Sequence, residues 1–363
     1  MEFNYYTIII GIICGAILFF KLPRLTKSSK KTKDNDLKIS VIIPARNEEK
    51  NLPNILGDLE NQTYSIHEII CVDDSSEDRT PEIIKKYNVK GITVSELPSN
   101  WKGKTWACQN GAKAAIGDIL LFIDADVRLS QTAVESLVNR YEANGNPISV
   151  QPYHTVVKQH EFFSLFFNLV EICNTAMSFI GKKNTYGFYG PIFMISKDLF
   201  DEHGGYDIVK NNIIEDFSLG KYYNKQGIKI GLFMGANEIS FRMYPDSFSS
   251  VIEAWSRNFS TGSFSTKFWF LLMTIIWLAG LTALPIELAK SISIENTLSV
   301  LIISMVYLVS VFSIYRIAKA VGSYPFYVCL LYPVYLLAFH MIFLCSLLCT
   351  FVFKTTTWKG RKL

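Results

Sequence analysis

Charged residues are missing from long segments near both ends of this 363-residue chain and are common between those segments. Phe3 to Phe20, Phe268 to Ile286 and Thr297 to Tyr315 contain no Asp, Glu, Lys or Arg. Apolar runs of about 18 residues or more are long enough to cross a bilayer as helices. Hydrophobic residues make up 49% of the chain, which excludes a disordered protein. We therefore predict membrane segments on either side of one globular domain.

The formal net charge of +4 does not indicate a nucleic-acid partner, because it comes from two basic runs beside apolar segments. Such runs favour the cytoplasmic face of a membrane, so we expect a multi-pass protein of the cell membrane with its globular domain in the cytoplasm. The first apolar segment lacks a cleavage signal and is expected to remain as an anchor. The predicted organisation is an anchor (1–21), a basic cytosolic linker (22–37), an α/β domain (38–267), a C-terminal membrane region (268–353) and a basic cytosolic tail (354–363).

Two further apolar segments have an ambiguous topology. Ala320 to Phe353 is too long for one crossing; a single crossing would place the basic tail outside, whereas a bend near Pro325 and Pro333 would return it to the cytoplasm. We favour the return. Phe162 to Ile180 contains Glu171 and two asparagines, which favours a helix on the bilayer surface or packed in the domain over a crossing.

The middle of the chain alternates short apolar strands with helices. Ile39–Ile43, Glu68–Val72 and Ile119–Ile123 have the composition of buried strands, and the first two precede helical patterns. This alternation predicts an α/β fold. Ligands of such folds bind at the carboxyl ends of the strands.

Acidic residues follow two of these strands. Asp124 and Asp126 lie two positions apart after the third strand, so their side chains are expected on one side. Two adjacent carboxylates repel each other unless a cation lies between them or one is protonated, and Mg²⁺ or Mn²⁺ with substrate phosphate suits such a pair. Asp73 and Asp74 after the second strand either cap the next helix or bind ligand, and the sequence leaves both open.

Two helix starts carry polar groups. Gly103-Lys104-Thr105 resembles the end of a P-loop, but the preceding spacing excludes that motif. Lys104 then remains either a solvated lysine or an anion-binding group at a helix N-terminus. Glu215 and Asp216 open a later helix, where carboxylates are also favoured by the helix dipole alone.

Taken in order, these motifs resemble the family 2 glycosyltransferases, which are inverting, nucleotide-sugar-dependent enzymes with the GT-A fold. The resemblance runs from Lys38 to about Asn258 through P-A-R-N-E, V-D-D-S-S, W-K-G-K, D-A-D, G-P, E-D-F-S-L-G and W-S-R-N. It implies binding of the nucleotide sugar by Pro44, Arg46, Asn47, Glu48, Asp74, Lys104, Asp124 and Arg257. It also implies a metal at Asp126 and Asp124, Mg²⁺ or Mn²⁺, and catalysis by Asp216 with Glu215.

One departure bears on the product. Processive members carry Q-x-x-R-W, whereas this chain has Glu253-Ala254-Trp255-Ser256-Arg257, which favours transfer of a single sugar. A narrower resemblance, through S-V-Q-P-Y-H, F-R-M-Y and W-K-G-R, is to the membrane glycosyltransferases of C30 carotenoid (staphyloxanthin) biosynthesis. That group implies UDP-glucose as donor and a membrane-dissolved carotenoid acid as acceptor, giving a glucosyl ester. The alternative acceptors are a hydroxylated lipid (diacylglycerol, hopanoid or ceramide) and polyprenyl phosphate.

Overall fold

A computed structural model describes residues 2–27, 37–180, 185–210, 212, 215–348, 357–358 and 361–362, with the backbone alone at 2–3, 257–265, 357–358 and 361–362. The strands are β1 Ile39–Ala45, β2 Glu68–Asp73, β3 Lys90–Thr93, β4 Ile119–Ile123, β5 Val127–Leu129, β6 Ile148–Gln151, β7 Tyr153–His154, β8 Ile192–Ser196, β9 Gly231–Met234, β10 Ile239–Phe241, β11 Thr357–Trp358 and β12 Arg361–Lys362.

The helices alternate with these strands in the first part of the chain and follow one another in the last. They are α1 Glu2–Leu18, α2 Leu52–Glu60, α3 Thr80–Lys86, α4 Gly103–Ala114, α5 Ala133–Asn144, α6 Leu165–Thr175, α7 Lys197–Glu202, α8 Glu215–Lys225, α9 Phe248–Ser265, α10 Phe268–Ser293, α11 Thr297–Val321, α12 Phe326–Leu330 and α13 Tyr332–Leu347, with 3-10 turns at Gln159–Ser164 and Gly205–Val209.

Contacts divide the chain into two compact units. The sheet unit comprises Pro23–Tyr153 and Asn184–Arg242, and the helical unit comprises Met1–Leu22, His154–Lys183 and Met243–Leu363. Each unit is therefore assembled from segments that are distant in the sequence.

The sheet unit is built on a mixed sheet. Among the described residues it has seven strands in the order β3-β2-β1-β4-β8-β6-β9. β1 runs parallel to β2 and β4, whereas β8 runs antiparallel to β4 and β6. The three strands predicted from the sequence are confirmed as β1, β2 and β4, and β4 is buried along its whole length. Because β1, β2 and β4 are parallel neighbours, their carboxyl ends lie at one edge.

In the part of the helical unit that the structure describes, two helices are long and apolar enough to cross a membrane, α10 and α11. Asn296 begins α11, and its side chain accepts a hydrogen bond from the Ser299 N–H at 3.1 Å. The shorter apolar helix α1 packs on α10, where a Cβ at Gly11 would lie 2.9 Å from the Gly280 Cα. Glycine at both positions lets the two backbones touch.

The two ambiguous apolar segments have defined structures in the helical unit. α6 is eleven residues long, which is too short to span a bilayer, and Phe167 on it stacks on Trp255 of α9 with ring centroids 4.6 Å apart. The predicted break in the C-terminal segment is confirmed: α12 begins after Pro325, and Pro333 lies in the first turn of α13. The end of that segment lies outside the described residues, and the side on which the tail emerges stays a prediction.

Candidate active site

The loops that follow β1 and β2 are joined by hydrogen bonds at the carboxyl edge of the sheet. The Asn47 N–H donates to Ser76 Oγ at 3.0 Å, and Asn47 Oδ1 accepts from the Glu77 N–H at 2.8 Å. The Glu48 N–H donates to Thr80 Oγ1 at 2.8 Å. Asn47 has φ 55°, a left-handed conformation that asparagine tolerates better than most residues. The P-A-R-N-E segment is thereby held as a fixed loop beside the second strand.

Asp73 and Asp74 have different environments, which the sequence alone leaves open. Asp73 Oδ1 accepts from the Ser76 N–H at 3.2 Å and so closes its own turn. The buried Asp74 forms an ion pair with Arg46, 3.4 Å from Nη1 to Oδ2. α3 begins without a side-chain cap, so capping of that helix does not explain either carboxylate.

Gly103 packs directly against Asp74. A Cβ at position 103 would lie 3.1 Å from the Asp74 Cγ and closer still to Oδ2, so a larger residue would displace the carboxylate. Gly103 also begins α4, which places Lys104 in the first turn of that helix. The start of α4 is therefore fitted to the end of β2.

Lys104 reaches from α4 to the end of β4. Its Nζ lies 2.8 Å from the Asp124 carboxylate. Burial alone would lower the pKa of Lys104, but the charges of Asp124, Asp216 and Glu215 outweigh burial and raise it well above its usual value. Lys104 thus lies among carboxylates from the end of β4 and from the first turn of α8.

Asp126 lies next to Asp124 and faces a second source of negative charge. Loss of hydration, followed by repulsion from Asp124 and Glu48, raises the pKa of Asp126 to about 7. The residue nevertheless keeps more than a third of its surface exposed. A carboxylate that partial burial and nearby negative charge make costly to ionise, and that remains accessible, is suited to bind a cation.

Glu215 and Asp216 form the first turn of α8, as the sequence predicts. Burial raises the pKa of Asp216 to about 7; Lys104 opposes this shift, and Glu215 and Asp124 add to it. Burial likewise raises the pKa of Glu215. Asp216 Oδ1 is shielded from solvent and has no hydrogen-bond partner among the described residues. A buried acceptor left open in this way is available to a bound ligand.

The structure brings most of the predicted site residues to the edge formed by β1, β2 and β4. Pro44 lies in β1 beyond its pairing with β4, next to the loop that carries Arg46, Asn47 and Glu48. Arg257 belongs to α9, but its side chain lies outside the described residues. Gly103 and Gly190 are not among the site residues predicted from the sequence, although both glycines touch a site carboxylate. The W-K-G-K and G-P motifs are the sequence signals for them.

The donor groups are compatible with Mg²⁺ or Mn²⁺. Among the described residues, no group of three or more His, Cys, Asp or Glu side chains is arranged to hold a metal ion by itself. Protein sites for these ions commonly use one or two carboxylates, completed by water and phosphate oxygens. Asp126, together with Asp124, would hold such an ion, which would supply positive charge for a diphosphate.

A mixed sheet with acidic groups and a lysine at the carboxyl edge of its parallel strands is the arrangement expected of the GT-A class. The chain belongs to glycosyltransferase family 2: residues 40–204 match the family described as Glycosyl transferase family 2. The resemblance predicted from the sequence motifs is confirmed.

Similar proteins extend over nearly the whole chain. It is 32% identical over 360 residues to a 4,4'-diaponeurosporenoate glycosyltransferase of Staphylococcus haemolyticus, covering 97% of this chain and 96% of the relative. A protein of the same description from Staphylococcus aureus is 31% identical over 359 residues, covering 97% and 94%. Both alignments therefore extend over the apolar segments of this chain as well as over its sheet unit.

A solved structure shows the same fold. The mannosyltransferase of Pyrobaculum calidifontis, determined with GDP-Man and Mn²⁺, has a TM-score of 0.54, covers 93% of this chain and 99% of its own, and is 15% identical. The predicted GT-A fold is confirmed by this similarity.

Proposed function

We propose that the protein transfers glucose from UDP-glucose to the carboxylate of a C30 carotenoid acid, 4,4'-diaponeurosporenoate, and forms a glucosyl ester. The observation that carries this proposal is the 31–32% identity over 97% of the chain to enzymes named for that acceptor. Because 4,4'-diaponeurosporenoate is a carotenoid acid, the product would belong to carotenoid biosynthesis.

The donor would bind at the carboxyl edge of the sheet. The loop around Arg46 and Asp74 would hold the uridine, and Lys104 would lie at the diphosphate because it is the cation closest to Asp124. A metal at Asp126 would add charge there. Positive charge placed where the leaving diphosphate develops its negative charge lowers the barrier to bond cleavage.

A carboxylate acceptor changes the task of Asp216. A carboxylic acid has a reference pKa near ~4 and is ionised at neutral pH, so no base is needed. Its oxygen attacks the anomeric carbon, the bond to UDP breaks, and UDP leaves with the electron pair. Because the pKa of Asp216 is raised to about 7, a protonated Asp216 can donate a hydrogen bond to the incoming carboxylate and orient it.

A hydroxyl acceptor would instead require Asp216 as a general base. The competing activity, transfer to a hydroxylated lipid such as diacylglycerol, would therefore use the same site, but with Asp216 ionised instead of protonated. A polyprenyl phosphate acceptor, like the carotenoid acid, would arrive already ionised.

We further propose a multi-pass arrangement in the cell membrane with the sheet unit in the cytoplasm. α10 and α11 support membrane association, and the basic residues near them support the orientation. The domain limits inferred from the sequence, 38–267 for the catalytic domain and 268–353 for the membrane region, belong to this proposal. A single cysteine placed in the tail of a variant whose native cysteines are replaced should not react with an impermeant thiol reagent on intact cells. Labelling of that cysteine would contradict the orientation.

The test of function uses membranes that contain the full chain, labelled UDP-glucose, and carotenoid acid and diacylglycerol offered together with Mg²⁺ or Mn²⁺. The proposal predicts a coloured product whose sugar is released by mild base, because an ester hydrolyses and a glycoside does not. Label in diacylglycerol alone would contradict the acceptor, and label that resists mild base but is released by acid would indicate a polyprenyl phosphate. Substituting UDP-galactose or GDP-mannose tests the donor.

A further inference from the structure

The helical unit contains a groove walled by aromatic rings, which we call the aromatic groove. It has a volume of about 550 Å³ and is lined by five aromatic residues and two polar ones: Phe162, Phe163, Phe248, Tyr327, Tyr335, Gln159 and His160. These residues come from the 3-10 turn before α6 and from α9, α12 and α13. Four segments that are far apart in the sequence thus contribute to one cavity.

Phe163 is the ring that connects the walls. Its centroid lies 4.8 Å from Phe248 and 5.1 Å from Tyr335, both in edge-to-face geometry. Phe162 meets Tyr327 in the same way at 5.9 Å. In an edge-to-face contact, the ring that presents its edge keeps its own faces free of that partner.

The lining favours a largely apolar, flat ligand. None of the residues that line the groove is Asp, Glu, Lys or Arg, and five of the seven are aromatic Phe or Tyr. Phe248 is 41% exposed and Tyr327 is 50% exposed, which leaves apolar surface for a ligand to cover. The volume lies within the ~300–1,000 Å³ usual for small-molecule sites.

We propose that the aromatic groove binds the conjugated apolar chain of the acceptor. This inference rests on the proposed function, because the carotenoid acid is the acceptor assigned there. A conjugated polyene is rigid and planar, so it loses little conformational freedom on binding and can lie along aromatic faces. Tyr327 and Tyr335 belong to the C-terminal apolar segment, through which a lipid dissolved in the bilayer can enter.

The experiment compares acceptors of two lengths with the full-length protein in nanodiscs. Phe163→Ala should raise the KM for the C30 acid about tenfold and leave the KM for a short polyene acid, too short to fill the groove, within about twofold. Phe248→Trp, a change at a half-exposed position, should narrow the groove and act in the same direction without removing packing. Hydrolysis of UDP-glucose in the absence of acceptor should be unchanged in both variants.

The matched control is Phe268→Ala. Phe268 is 66% exposed at the start of α10 and does not line the groove. It should leave both KM values unchanged. If Phe268→Ala matches Phe163→Ala, or if both acceptors lose affinity equally in Phe163→Ala, the aromatic groove is not the chain site.

Direct binding separates this inference from the proposed function. Titration of the C30 acid without donor, followed by the shift in polyene absorption, should show weaker binding in Phe163→Ala than in the native chain. If Phe163→Ala binds the C30 acid more weakly but the native protein transfers no sugar to it, the proposed function is contradicted and the groove assignment stands. Equal binding by both proteins, or displacement of the polyene by a saturated fatty acid at the same concentration, would overturn the groove assignment.

Discussion

Gly190 lies directly against the carboxyl group of Asp216. A Cβ at position 190 would be 2.6 Å from the Asp216 Cγ, a distance that packed atoms do not adopt. The turn before β8 and the first turn of α8 are therefore fitted to each other. The position of the candidate catalytic carboxylate depends on glycine at position 190, which has no side chain.

Gly190→Ala should lower kcat by about 10²-fold, since small misplacements of a reacting group have effects of that size. The fold should survive, because the added methyl group meets a side chain that can rotate away. Gly57→Ala is the control: a Cβ there meets nothing within 4 Å, and alanine is favoured in a helix interior. Full activity in Gly190→Ala, measured as sugar transfer, would contradict the assignment of Asp216.

Lys104→Met should lower kcat by about 10²–10³-fold, the range found when one group that stabilises transition-state charge is removed. The substitution also leaves Asp124 without its 2.8 Å partner. Lys104→Arg keeps the charge and should retain much more activity. Steady-state kinetics with both variants measure this difference, and equal losses would indicate that geometry, not charge, is what Lys104 supplies.

The pH profile should depend on the acceptor. Because the pKa of Asp216 is raised from 3.8 to about 7, Asp216 is protonated below pH 7 and ionised above it. Transfer to a carboxylate should therefore fall as pH rises through 7, whereas transfer to a hydroxyl should rise. Asp216→Asn should flatten both profiles, with a mild loss for the carboxylate and a severe one for the hydroxyl. If the inflection near pH 7 in the rate of transfer persists in Asp216→Asn, a group other than Asp216 causes it.

Removal of divalent metal should abolish transfer. EDTA should inactivate membranes that contain the protein, and Mg²⁺ or Mn²⁺ should restore activity. Asp126→Ala should be inactive at any metal concentration, because its carboxylate is the exposed one of the pair. Asp118→Ala is the control, as Asp118 lies just before β4, at the opposite end of the same strand, and accepts a hydrogen bond from the Lys38 N–H at 3.1 Å. Full activity in EDTA would exclude a metal requirement.

Glu171 should make the folded protein less stable at high pH. Burial raises its pKa from 4.5 to about 7, so ionisation disfavours the folded state; the cost is absent below pH 4.5 and complete above pH 7. Glu171→Gln should raise Tm by about 2–4 °C at pH 8.5 and have no effect near pH 4.5. Glu96→Gln, at an exposed position, should leave Tm unchanged both at pH 8.5 and near pH 4.5. A Tm gain independent of pH would contradict this explanation.

The strands that carry the site could be predicted from the sequence because their signal is local. A buried five-residue apolar run followed at once by acidic residues, as at Ile119–Asp126, defines both a central strand and the polar end of that strand. The starts of α4 and α8 were predicted for the same reason, since helix starts have short-range signals.

The neighbours of each carboxylate could not be predicted, because they arrive from distant segments. Asp73 and Asp74 are adjacent in the chain, yet one closes a turn and the other pairs with Arg46, 28 residues away. The contact of Gly103 with Asp74 likewise depends on how α4 packs against β1 and β2.

The sequence by itself determined the class of fold, the apolar helices and which residue types lie at the carboxyl edge, because strand periodicity and charge-free length are properties of contiguous residues. Only the tertiary structure decided that Lys104 pairs with Asp124, that the Asp216 carboxyl group packs against Gly190, and that four separate segments form the aromatic groove. These relationships depend on packing between segments far apart in the chain, and packing distances are not encoded in any local pattern.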